Sequence, residues 1–241
     1  MIWLGVLLLG LASGTLSGIV GFGASIMLMP PLVLAFGPRE AVPIMAIAAL
    51  MANLARVLVW RREDDWPANA YYCATAVPCA ALGARTLLLL NPHIVEGILG
   101  ATFIVMIPAR RWLMGRGLRV SAWQLTLVGA AIGFLTGMVA STGPINTPFF
   151  LAYGLVKGGF LATEALGSMA IGLAKALVFR RFDALPVETV VRGLMVGISL
   201  MAGSRLAKRF VLRLDASQFR LIMDLLLAGA GVILLWSALL Q

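Results

Sequence analysis

Residues 18–32 read GIVGFGASIMLMPPL, an apolar run interrupted by Gly18, Gly21, Gly23, Pro30 and Pro31. Glycine weakens a helix interior and proline removes a backbone donor, so a helix entering this stretch is expected to break within it. In lipid an unpaired backbone group is costly, and a break survives only inside protein or beside a wet cavity. The stretch is therefore the first candidate for a site.

Its surroundings define the solvent. Of 241 residues, 61% are hydrophobic and only 12% charged, and mean hydropathy is +0.99. Soluble domains carry about 25% charged residues, so the composition specifies an all-α polytopic membrane protein. The formal net charge of +9 is spread between apolar segments rather than gathered in one block. That is the pattern of cytoplasm-facing loops, and it argues against a nucleic-acid partner.

Ten apolar segments emerge as two copies of five. Residues 53–67 (NLARVLVWRREDDWP) match 172–186 (GLAKALVFRRFDALP) at an offset of 119, with eight identities in fifteen positions. The same offset places Gly14, Leu16 and Gly18 on Gly133, Leu135 and Gly137, and one insertion later Gly83-Ala84-Arg85 recurs as Gly203-Ser204-Arg205. This is an internal duplication. Repeat one is assigned to residues 1–114, with a broken hairpin over 2–37 and helices over 40–60, 68–90 and 94–114. A basic linker covers 115–120. Repeat two covers 121–241, with a broken hairpin over 121–155 and helices over 160–179, 186–206 and 218–240. The N-terminal run MIWLGVLLLGLASG resembles a signal peptide but lacks a basic leader and recurs later in the chain, so it reads as a structural helix.

Residues 24–37 and 143–155 are too short to span, because about 14 helical residues reach about 20 Å against a hydrocarbon core of about 30 Å. Either each completes a broken crossing with its predecessor, giving eight spans, or each pair forms a hairpin dipping into the membrane. Loop charge separates the two. Eight spans divide the loop arginines and lysines eight against six. Hairpins invert the second copy and leave only Arg39, Arg180 and Arg181 outside, against eleven inside. The positive-inside rule favours inverted repeats.

The second copy of the opening stretch, GMVASTGPINTPFF over 137–150, again carries glycine and proline and adds Ser141, Thr142, Asn146 and Thr147. Two hairpins entering from opposite faces bring helix N-termini together near the midplane, which suits an anion. The expected substrate-binding residues are Gly21, Gly23, Ser25, Asn53, Ser141, Thr142, Gly143 and Asn146. Small residues also simply permit close helix packing, and Gly10 and Gly14 take that reading. Arg56 and Lys175 occupy equivalent positions inside apolar segments, with Asn53 one turn from Arg56. Snorkelling to the interface is the favoured reading of both, and attraction of an anion the second. Arg85 and Arg205 read as interface anchors.

Other chemistries lack their parts. Cys73 and Cys79, six apart, fit no zinc pair or redox motif and read as free thiols. His93 has no second histidine to share a metal, and Gly21-Phe22-Gly23 lacks the third glycine and preceding strand of a dinucleotide loop. Ser141 has no histidine base within the membrane. The acidic residues Glu40, Glu96, Glu164, Glu188 and Asp224 lie mostly near segment ends. No enzyme activity, cofactor or metal is expected. The partners are the lipid bilayer and a small anion, with a coupling proton or cation and a homo-oligomer left open.

The motif GIVGFGASIMLMPPL, followed by a segment ending in Arg61-Arg62 and repeated as GMVASTGPINTP with Arg180-Arg181, resembles the TauE/SafE family of sulfite-exporter-like transporters. The likeness covers nearly the whole chain and rests on Gly18, Gly21, Gly23 and Pro30. Phe22, Ala24 and Ser25 interrupt the tight glycine run often seen in that family. The resemblance implies a multi-pass bacterial inner-membrane transporter of sulfite or an organosulfonate working by alternating access. A transporter of a non-sulfur organic anion, or a non-transporting membrane protein, are the alternatives.

Overall fold

The computed structural model describes residues 6, 8–15, 23–139, 141–210 and 216–240. Among them the chain is helical throughout, with no strand: α1 (8–15), α2 (Gly23–Phe36), α3 (Pro38–Trp60), α4 (Trp66–Leu89), α5 (Pro92–Gly115), α6 (Ala122–Met138), α7 (Gly143–Tyr153), α8 (Lys157–Arg181), α9 (Val187–Phe210) and α10 (Ala216–Leu240). Four helices, α3, α4, α5 and α8, are long and apolar enough to cross a membrane. Leucines at 54, 58, 127, 173 and 177 are exposed, as are Trp66, Trp112 and Trp123 near helix ends, which is how lipid-facing sides and interfacial aromatic belts look. The protein is a polytopic membrane protein.

Helix ends follow local chemistry. The Asp65 carboxylate accepts from the Ala68 N–H at 2.9 Å to start α4, and Asn91 accepts from the His93 N–H at 3.1 Å to start α5. Ser121 and Gln124 form a capping box at α6. The α2–α3 and α7–α8 turns use glycines with positive φ, Gly37 (74°) and Gly154 (113°).

The break expected within 18–32 does not fall at its prolines. Pro30 and Pro31 do not break the chain; they lie inside α2, which runs on to Phe36. Each proline forfeits one intrahelical bond, but Ile26, Leu28, Met29 and Leu32 are fully buried around them, and this packing holds the helical path. Residues 16–22, with Gly18 and Gly21, lie outside the described residues. In the second copy the interruption falls between Met138 and Gly143, where Val139 is extended and α7 starts afresh.

Helices pack mainly across the two halves of the chain. A Cβ on Gly133 would lie 2.4 Å from the Ala76 carbonyl oxygen, and one on Gly137 2.3 Å from that of Ala80, so α6 lies backbone to backbone along α4. The first helix does the same with α9: a Cβ on Gly14 would lie 2.3 Å from the Leu200 oxygen. Further contacts join α3 with α9 and α4 with α8, then α2 with α10 and α5 with α7. Each pair recurs with the halves exchanged. Two pairs map onto themselves, α3 with α8 and α5 with α10, and both run antiparallel. Arg56 near the end of α3 meets Glu164 near the start of α8, while Gly172 meets Leu50 further along. On α5 and α10, Gly100 lies by Leu235, and Arg110, buried, reaches Asp224 at 2.6 Å.

Two apolar clusters result. One centres on α2, α3, α5 and α10. The other joins α4, α6, α7 and α8, with Tyr72 and Phe150 ring centroids 5.1 Å apart.

Candidate functional site

Between these clusters lies a polar cavity of about 60 Å³. Its walls come from α3 and α8 face to face, from the first turn of α2, and from the 136–146 region around the α6–α7 interruption. On α3 the lining positions include Met45, Ala49, Ala52, Asn53 and Arg56. On α8 they are Glu164, Ser168, Ile171, Gly172 and Lys175, each at the offset of 119 from its counterpart. That is one face of each helix, sampled at i, i+4, i+7, i+8 and i+11.

The structure brings together Ser25, Asn53, Arg56, Ser141, Thr142, Gly143, Asn146 and Lys175 around this one cavity. Gly23 begins α2, one residue before the lining pair Ala24 and Ser25. Gly21 lies outside the described residues. The short helix α7 thus starts at the cavity wall, with the positive end of its dipole toward it, and the first described turn of α2 lies beside the same cavity.

The two cations correct an expectation, since neither snorkels. The Arg56 Nη1 donates to Glu164 Oε2 at 2.8 Å, and Nη2 donates to Asn53 Oδ1. Lys175, 2% exposed, donates to the carbonyls of Thr136 at 2.7 Å and Val139 at 2.9 Å. It caps the C-terminal end of α6 at the interruption, where a cation complements the helix dipole. Internal partners within reach outcompete the walk to the interface. Arg85 is exposed, its guanidinium over the Phe182 ring at 5.8 Å, and the Arg205 side chain lies outside the described ones.

Sequence reasoning passed over Glu164. It is not an end residue but a cavity wall, 3% exposed, bonded to Arg56 and accepting from Ser168 Oγ at 2.8 Å. Tyr72 was also missed and lines the cavity beside Asn146. Two basic side chains, Arg56 and Lys175, and one acidic side chain, Glu164, stand on the walls. Two buried polar atoms here have no partner among the described residues, Arg56 Nε and Asn146 Oδ1. Buried polar atoms are nearly always satisfied, so a ligand or water is the expected partner. Among the described residues no three His, Cys, Asp or Glu side chains are grouped to hold a metal.

A helical membrane protein enclosing a cationic, hydroxyl-rich cavity is built to handle a small polar solute. The family description "Sulfite exporter TauE/SafE" matches residues 6–234, and the chain belongs to this family of membrane transporters. No match is found among curated proteins or among solved structures.

Proposed function

We propose that the protein is a secondary transporter that carries a small anion, sulfite or a short organosulfonate, through this cavity, and that it is not an enzyme. The observation that carries the reading is the pair of basic side chains, Arg56 and Lys175, in one cavity where the Arg56 Nε–H donor has no partner among the described residues. Size supports the smaller candidates. At about 10–15 Å³ per water-sized group, the cavity holds about four to six such groups, enough for a sulfite without expansion. Gly23, the first described residue of α2, is assigned to the same site, and Gly21 with it on the sequence motif alone.

Alternating access between inverted repeats is the proposed cycle, in a bacterial inner membrane, with repeat one over 1–114 and repeat two over 121–241. The antiparallel meeting of the equivalent helices α3 and α8, and of α5 and α10, supports inversion, because two parallel copies would run the same way. A cysteine in place of Phe182, which is exposed at the end of α8, should react with an impermeant maleimide added outside cells lacking Cys73 and Cys79. Labelling only after permeabilisation would restore the eight-span topology.

The function is tested by flux into proteoliposomes of sulfite, sulfoacetate and a carboxylate such as acetate. Sulfite uptake is expected to lead. Asn146→Ala, which removes an amide at the α7 start, should reduce that uptake at least tenfold while membrane insertion is retained. Absence of flux for all three anions would end the transporter reading, and full activity of the variant would move the site elsewhere.

A further inference from the structure

The Arg56–Glu164 pair poses a problem for anion binding. An arginine already satisfied by a carboxylate offers little to an incoming anion, and an anion placed beside that carboxylate meets like-charge repulsion. We infer that Glu164 is the proton-coupling group of this carrier: it takes up one proton as the anion binds and hands Arg56 over to the anion. This rests on the transport reading above and adds its driving ion.

The chemistry balances simply. A proton from water forms an O–H bond at Glu164, its ion pair with Arg56 Nη1 opens, and the guanidinium turns its charge to the anion. Protonation removes one negative charge from the cavity wall, and binding a monoanion restores it. Anion and proton therefore assist one another, and by thermodynamic reciprocity each raises the affinity for the other. No oxidant, reductant or nucleotide is needed.

The surroundings suit this task. Ser168 Oγ, hydrogen-bonded to Glu164 Oε1, can stabilise either protonation state because a hydroxyl both donates and accepts. From α3 the only charge facing Glu164 among the described residues is Arg56. From α4 comes the phenol of Tyr72, with Cys73 one residue on. The lining residues of α6 and α7 carry no titratable group there, and on α8 itself Lys175 lies three turns away.

The chain beside Glu164 is tied to the α3–α4 loop. Thr163, adjacent to Glu164, accepts from the Asp65 N–H at 3.0 Å, and Asn69 links the Thr163 carbonyl with Asp64, both at 3.5 Å. Asp64 belongs to the loop outside the spanning helices, and burial raises its carboxyl from the ordinary value.

The test compares the pH dependence of sulfite affinity in detergent-solubilised wild type and Glu164→Gln. Sulfite takes up a proton of its own near neutrality, so the readout is the ratio of the two Kd values, in which that contribution cancels. One coupled proton changes the ratio by up to about tenfold per pH unit, hence up to about 100-fold between pH 6 and 8. Glu164→Asp should keep the wild-type slope. If Glu164 only positions Arg56, the glutamine variant weakens binding equally at every pH, and a constant ratio overturns the proposal. Should the glutamine variant not fold, infrared difference spectra of the wild type carry the same decision. Sulfite addition should produce a protonated-carboxyl band at the expense of a carboxylate band, and no such band overturns the proposal. Wild-type protein that neither binds nor carries sulfite, sulfoacetate or acetate would remove the transport reading itself, a result distinct from superimposable pH profiles in a working carrier.

Discussion

Arg56→Met is expected to abolish sulfite flux and to destabilise the protein by about 3–5 kcal/mol, the usual cost of stripping one partner from a buried ion pair. The pair is well enclosed, with side-chain exposures of 10% for Arg56 and 4% for Glu164, so solvent screening does little to reduce that cost. Methionine preserves much of the aliphatic bulk and removes the donors that serve Glu164 and Asn53. Two effects are mixed in this variant, and a second change separates them. In Arg56→Met/Glu164→Leu the buried charge has gone with its partner, and replacing a whole pair by apolar side chains is often close to neutral. Thermal unfolding should then return to within a few degrees of wild type while flux stays absent. Flux recovering along with stability would make Arg56 a structural residue and shift anion attraction to Lys175 alone.

Gly133→Leu is expected to stop the protein accumulating in the membrane. The obstructing atoms are backbone: a Cβ at this site would lie 2.4 Å from the oxygen and 2.6 Å from the Cα of Ala76. No rotamer change can relieve that, so α6 must lift away from α4 along its length. Overpacking alone costs about 1–3 kcal/mol, and here the displaced helix also carries the carbonyls that hold Lys175. Gly14→Leu should behave alike through the Leu200 backbone. Gly97→Ala is the control, because no atom lies within 4 Å of its added methyl group. Its level on fluorescence-detected size-exclusion chromatography should match wild type. Normal accumulation of Gly133→Leu would show that α4 and α6 are not in this close contact.

The legible and illegible parts of the site divide along the sequence match at an offset of 119. Lys175 and Arg56 stood out because each marks the other at an offset of 119, and the Gly143–Asn146 turn stood out because proline and glycine cluster there. Glu164 has Met45 as its counterpart, so the comparison that exposes the cations hides the anion. It also lies only two turns into α8, where a carboxylate usually faces the interface. Its partner is 108 residues away in the chain, a pairing that no local periodicity can announce. The spacing Glu164, Ser168, Lys175 on one helical face was the available signal. Pro30 and Pro31 misled for the opposite reason: their local meaning is strong, and the tight packing around α2 overrides it.

The crossed pairing of helices bears on how such a chain is made. The glycine edge of α1 that fits against α9 emerges into the bilayer almost two hundred residues ahead of its partner. During synthesis it faces only lipid, and so does the face of α4 until α6 arrives. Neither half can finish its interior on its own schedule. Cutting the chain in the basic loop near Gly117 should therefore yield two fragments that are each lost to proteolysis and that survive only when inserted together.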